Sequence, residues 1–224
     1  MGSILVVAAH PDDEVLGCGG YIALRARAGD EVSVIFLSDG VSSRDVSEER
    51  SLIEVRREAA KSAAKILGVT SLTFGDLPDN KLDAVPLLEV IKVVEEAIAI
   101  SKPHIILTHF GGDLNIDHRI ANQAVVTACR PVSNQIVKQV MFFEIPSSTE
   151  WQIPIDEEAF VPNWFEDIST TLKIKTAALA AYSMEIRDWP HPRSIRAIEH
   201  LAHWRGATCG VDAAEAFMLG RRSP

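Results

Sequence analysis

One imidazole and three carboxylates crowd into His10-Pro11-Asp12-Asp13-Glu14. The run follows an apolar stretch, Ile4-Leu5-Val6-Val7, and leads into Gly17-Cys18-Gly19-Gly20. Acids packed this closely repel one another unless a proton or a cation intervenes. A divalent metal is the simplest partner for such a cluster. The apolar stretch reads as a buried strand, and residues 21–28 as the helix that follows. The cluster then stands at the end of a central strand, where open α/β sheets bind ligands.

A second group lies far along the chain. His109, Asp113, Asn115, Asp117 and His118 follow another buried-strand pattern and precede a helical one at residues 120–129. If the two strands are neighbours, His10, Asp13 and His118 converge on one ion. Two imidazoles and a carboxylate with an open fourth position form a catalytic zinc arrangement. Fe2+ or Co2+ suits the same donors. Such an ion acidifies water to a pKa of about 7 and polarises a carbonyl. Asp12, next to ligand Asp13, is placed to take the water's proton. Asp117, next to His118, is placed to orient a ligand. Each motif alone has a plainer reading: a loop with a solvated acid pair, and an Asp117 helix cap. Their joint occurrence after two apolar strands favours the metal. The glycine cluster lacks the Gly-x-Gly-x-x-Gly spacing of dinucleotide sites. It reads instead as a tight turn that lets backbone approach a ligand. Asp39-Gly40 reads as another turn at the same end of the sheet.

The paired motifs, His10-Pro11-Asp12-Asp13-Glu14 with the later Asp117-His118, resemble the PIG-L/LmbE-like zinc-dependent N-deacetylases, which act on N-acetyl amino sugars and their conjugates. The likeness extends from the first strand to Ala214-Glu215-Ala216-Phe217. It implies His10, Asp13 and His118 as ligands of one Zn2+ and Asp12 as general base. It also implies a substrate- or acid-contacting arginine on the long helix, where Arg56 fits better than Arg57. The family often has His-Pro-Asp-His at the second site; this chain has Asn115-Ile116-Asp117-His118. An asparagine donates a hydrogen bond to an oxyanion but delivers no proton at neutral pH. The proton for the leaving amine must then come from Asp12 or from another histidine. His191, in Asp188-Trp189-Pro190-His191-Pro192-Arg193-Ser194, is the candidate, with Arg193 beside it as a substrate contact. The plainer reading of that run is a rigid proline-bracketed turn. The expected function is N-deacetylation of a small amino-sugar substrate. Another metal-dependent amidase or esterase, or a non-catalytic small-ligand module, are the alternatives.

Regular elements must carry these groups. Strands are expected at residues 4–9, 31–38, 71–74, 105–108 and 139–144. Helices are expected at 21–28, 47–67, 87–100, 172–182 and 194–205, with Gly68 as a C-cap. This alternation predicts a Rossmann-like open, mostly parallel α/β sheet flanked by helices. The chain reads as a single domain, with a core over about residues 1–145 and an irregular or helical extension over about 146–224. Aromatic residues at 160–167 are expected to form a strand or a loop over the crevice.

The 224 residues suit one domain with a substantial core. A net charge of -9 argues against nucleic acid or an anionic membrane as partner. No signal-like segment and no long apolar run stand in the sequence, so a cytoplasmic enzyme without a membrane anchor is expected. Cys18, Cys129 and Cys209 are odd in number and widely spaced, which suits reduced thiols. The aromatic-rich last third is the candidate surface for a homo-oligomer.

Overall fold

The computed structural model describes residues 2–38, 40, 49–153 and 159–224. Asp39, of the second turn, lies outside them. Five strands run parallel: β1 (Ser3–Ala8), β2 (Glu31–Ser38), β3 (Ser71–Leu77), β4 (Ile105–His109) and β5 (Gln139–Phe143). Two more, β6 (Trp164–Asp167) and β7 (Ala214–Arg222), join antiparallel. The helices are α1 (Asp13–Arg27), α2 (Glu49–Leu67), α3 (Leu87–Ser101), α4 (Ile116–Ala128), α5 (Leu172–Ala180) and α6 (Ile195–Cys209). Strand order is β3-β2-β1-β4-β5-β7-β6. It reverses between β1 and β4, so their C-terminal ends border the crevice that such sheets use for ligands.

Helices on both faces explain the unbroken apolar strands. Ile4, Val6 and Ala8 of β1 pack to one side with Ile22, Ala60, Leu179 and Ile198. Leu5 and Val7 pack to the other with Val90, Val94, Ala121 and Val125 of α3 and α4. Alternate residues of one strand therefore enter two cores.

Four expectations need correction. The first helix begins at Asp13 rather than at residue 21, and it is broken at Cys18, whose φ of -148° is not helical. The glycine cluster therefore lies inside the helix. A Cβ at Gly17 would collide with the Phe143 ring, and one at Gly20 would stand 2.7 Å from Ile168. These glycines bring the helix close to its neighbours, not a ligand close to the backbone. The tail at 214–222 is a strand, inserted between β5 and β6. Consequently β6 is the far edge of the sheet, two strands removed from β4, and does not cover the crevice. Phe160 reaches back, edge-on to Phe110 at 5.5 Å.

The break in α1 exposes backbone groups that need partners. Lys175 of α5 donates to the Leu16 carbonyl at 2.9 Å. Glu215 of β7 accepts from Gly20 N at 2.8 Å and Tyr21 N at 2.7 Å. The two side chains pair at 2.6 Å, both buried. They clip the short helical segment that carries Asp13 and Glu14 onto the rest of the fold. Removing one partner of a buried pair strands the other charge, at a cost of about 3–5 kcal/mol. Lys175→Ala is expected to lower Tm by roughly 6–15 °C in thermal denaturation.

Candidate metal centre and active site

The site is built on two strand ends. Beyond β1 the chain turns through Pro11 and Asp12 into α1. Beyond β4 it runs through Asp113 to Asn115 and into α4. Because β1 and β4 are neighbours, His10, Asp13 and His118 meet: one ligand-type atom from each lies within 4.8 Å of the others. His10 Nδ1 is 3.2 Å from Asp13 Oδ2, and His118 Nε2 is 3.4 Å from the same oxygen. Donors about 2.1 Å from a tetrahedral ion are separated by roughly 3.4 Å.

The donor chemistry fits a cation. His118 Nε2 and Asp13 Oδ1 are buried with no hydrogen-bond partner among the described residues. Such orphaned polar atoms are costly unless something else binds them. Each imidazole is also turned by a carboxylate. His118 Nδ1 donates to Asp113 Oδ1 at 2.9 Å, leaving Nε2 to face inward. His10 Nε2 donates to Asp117 Oδ2 at 3.0 Å, leaving Nδ1 to face Asp13. This is how metal-binding histidines are usually oriented.

His10, Asp79 and Asp117 form a second close group. Asp117, however, is already committed. Its oxygens accept from Asn80 N at 2.7 Å and Leu82 N at 3.0 Å, as well as from His10. That group therefore orients His10 and pins the segment around Asn80. The sequence expectation that Asp117 caps its helix is corrected: Asn115 is the N-cap, its Oδ1 accepting from Asp117 N at 2.8 Å. Asn115 Nδ2 donates to Asn80 Oδ1 at 3.1 Å.

Charge balance follows from these contacts. Burial opposes a proton on His10, but Asp117, Asp13 and Asp79 outweigh it and lift the imidazole to about 10. His118 is raised too, burial being overcome by Asp13 and Asp113. Asp13 is held well below the usual range, against its burial, by His118 and by hydrogen bonding with His10 and His118. Asp113 falls to about 2, against its burial, because it accepts from His118, Ser148 and Thr149. A cation entering the pocket displaces the protons on the imidazoles. His109 is pushed well below its ordinary value by burial and by His118. Its neutral ring accepts from Ala9 N at 2.8 Å and stacks on His118 at 3.9 Å.

Asp12 sits beside this centre with both oxygens held by guanidiniums. Arg193 Nη1 lies 3.1 Å from Oδ2, and Arg56 Nη2 lies 3.5 Å from Oδ1. Burial raises the Asp12 carboxyl to about 6 against the pull of both arginines. Glu185 flanks the two, 3.4 Å from Arg56 and 3.7 Å from Arg193. Arg57 instead faces Asp76 and the Phe74 ring. His191 lies on the loop that delivers Arg193. Its Nδ1 accepts from Arg193 N at 3.0 Å, and its ring meets Trp151 edge-on at 5.6 Å. His203 is exposed and donates to the Asp212 carbonyl, and exposed His200 packs on Trp189. Neither helps to form a metal cluster among the described residues.

Sequence reasoning gave no role to Asp79, Asp113, Glu185, Ser148 or Thr149. Asp113 had the best signal, an acid between a strand end and a candidate ligand. The others reach the site from distant segments and carry no local pattern.

Residues 5–129 match the model of the family described as PIG-L: GlcNAc-PI de-N-acetylase. That span is more than half of the 224 residues. The chain belongs to the PIG-L family. Among curated relatives of this PIG-L protein is the uncharacterized deacetylase YaiS of Escherichia coli, 29% identical over 182 residues, covering 79% of this chain and 88% of the relative. Another is the diacetylchitobiose deacetylase of Thermococcus kodakarensis, 28% identical over 195 residues, covering 81% of this chain and 69% of the relative. Among solved structures, GalB, the 4-carboxy-2-hydroxymuconate hydratase of Pseudomonas putida KT2440, is 25% identical. It superposes with a TM-score of 0.77 over 100% of this chain and 98% of its own. No helix among the described residues is long and apolar enough to cross a membrane.

The Asp113 carboxylate is expected to matter to metal binding although it pairs with His118 Nδ1, away from the inward-facing Nε2. Asp113→Asn should weaken affinity for a divalent ion by about 10- to 100-fold. Titration with Co2+, followed by its visible absorption, measures this.

Proposed function

We propose that this protein is a zinc-dependent N-deacetylase that removes the acetyl group from an amino sugar or a related sugar conjugate. The observation that carries this reading is the convergence of His10, Asp13 and His118 beside an Asp12 carboxylate held between two guanidiniums. Membership of the PIG-L family supports it, and the diacetylchitobiose deacetylase relative supports the substrate class.

His10, Asp13 and His118 would hold the ion. When bound, zinc supplies Lewis acidity toward the acetamide carbonyl and acidifies water, and Fe2+ or Co2+ suits the same donors. Asp12 takes the proton of the attacking water. Asp117 maintains the orientation of His10. Asn115 spends its oxygen on the α4 cap and one N–H on Asn80; its second N–H stabilises the developing oxyanion. Arg56, buried, fixes the Asp12 carboxylate from behind. Arg193 is more exposed and contacts substrate as well as Asp12. His191, as an imidazolium, delivers the proton to the leaving amine. In the neutral ring Nδ1 accepts from Arg193 N, so protonation there, at the expense of that bond, is what makes the ring an acid.

The test is acetate release from a panel of N-acetylhexosamines, their phosphates and their glycosides. The expected result is one acetate and one free amine per turnover. An esterase would cleave O-acetyl substrates and spare N-acetyl ones. A hydratase or a binding module would release no acetate from the panel. Asp12→Asn is expected to lower kcat by about 10²- to 10⁴-fold with the ion retained. His191→Ala is expected to lower kcat by roughly 10²-fold, also with the ion retained. A normal kcat in the second variant removes His191 from the mechanism.

A further inference from the structure

The Asp12 backbone is in an unusual state. Its φ of 118° and ψ of -27° fall in the left-handed region. A residue with a Cβ persists there only when its surroundings over-determine it, because such strain costs about 1–3 kcal/mol. The peptide between Pro11 and Asp12 is gripped at both ends. Its carbonyl accepts from Arg56 Nε at 3.1 Å and Nη2 at 2.9 Å. Its N–H donates to Glu14 Oε2 at 3.1 Å. The other Glu14 oxygen accepts from the Tyr182 hydroxyl at 2.7 Å. Glu14 is 2% exposed and Tyr182 is 1% exposed.

We propose that Glu14 and Tyr182 are positioning residues that lock the Pro11–Asp12 peptide plane and so aim the Asp12 carboxylate. The proposal rests on the reading of Asp12 as general base. A carboxylate two residues along the chain, on the first turn of α1, is close enough to reach back to the Asp12 amide. The phenol comes from just beyond α5, in the C-terminal extension, and fixes the carboxylate in turn. Without the Glu14 acceptor the Asp12 N–H is unsatisfied, and rotation of the peptide relieves the strain. The carboxylate of Asp12 then leaves its place between Arg56 and Arg193. Asp13, held by the imidazoles, stays. The role is therefore separable from ion binding: it sets turnover rather than occupancy.

The experiment measures kcat, KM and bound zinc for Glu14→Ala, Glu14→Gln and Tyr182→Phe, with Asp12→Asn as reference. Glu14→Ala is expected to lower kcat by about 10²-fold, the cost of a misplaced catalytic group, with KM changed less than about threefold and one zinc still bound per chain. Glu14→Gln recovers most of that loss, because the amide oxygen still accepts from Asp12 N–H. Tyr182→Phe lowers kcat by roughly fivefold, the value of one hydrogen bond. The proposal is overturned by normal turnover in Glu14→Ala, by loss of its zinc, or by a Glu14→Gln variant as impaired as Glu14→Ala. If Glu14→Ala does not fold, normal kcat in Tyr182→Phe overturns it. An active Asp12→Asn variant is a different failure, since it removes the base itself.

Discussion

Seven carboxylates are buried around one crevice: Asp12, Asp13, Glu14, Asp79, Asp113, Asp117 and Glu185. Buried charge of one sign cannot persist without compensation. The molecule is organised around supplying it. Two imidazoles and two guanidiniums contribute positive charge. Backbone amides at Asn80 and Leu82, and the hydroxyls of Ser148 and Thr149, contribute hydrogen bonds. Glu14 is relieved by hydrogen bonds from the Asp12 N–H and the Tyr182 hydroxyl, while burial lifts its carboxyl to about 8. Among the described residues, the segments around Asn80, Ser148 and Arg193 each deliver a donor to one of these acids.

The compensation is shared between the two halves of the site. Asp117 belongs to α4, after β4, yet it orients His10, after β1. Asp13 belongs to α1, yet it lies against His118 of α4. Neither strand end holds a complete centre. Reversal of strand order makes the two ends adjacent, and the crossed contacts lock that adjacency. Thr149 and Ser148 extend the network to the end of β5 through Asp113. Arg193 extends it to the last third of the chain through Asp12.

Much of this was legible in the sequence. The apolar runs of β1, β2 and β4 announce strands buried on both faces, and the acids after β1 and the Asp117-His118 pair after β4 announce the crevice. The spacing could not reveal which acid turns which histidine. Asp113 against His118, and Asp117 against His10, are contacts across loops whose geometry no periodicity encodes. Asn115 outcompeted Asp117 as the helix cap because Asp117 is taken by longer-range amides. The kink at Cys18 was hidden because the partners of the backbone groups it exposes lie at residues 175 and 215. The same pair disguised β7: a buried glutamate in a strand reads as a tail until its lysine is found. Tyr182 carries no local signal at all.

The order of these parts along the chain has a consequence for biosynthesis. His10, Asp13 and His118 all leave the ribosome before Lys175, Tyr182, Arg193 and Glu215. N-terminal segments begin to fold first during synthesis. A nascent chain ending after α4 already carries six of the seven acids of the crevice and both imidazoles, but not Glu185, the clip on α1 or the second guanidinium over Asp12. The last third of the polypeptide thus works as a closing brace, and a chain truncated before it would keep His10, Asp13 and His118 while losing the framework that disciplines them.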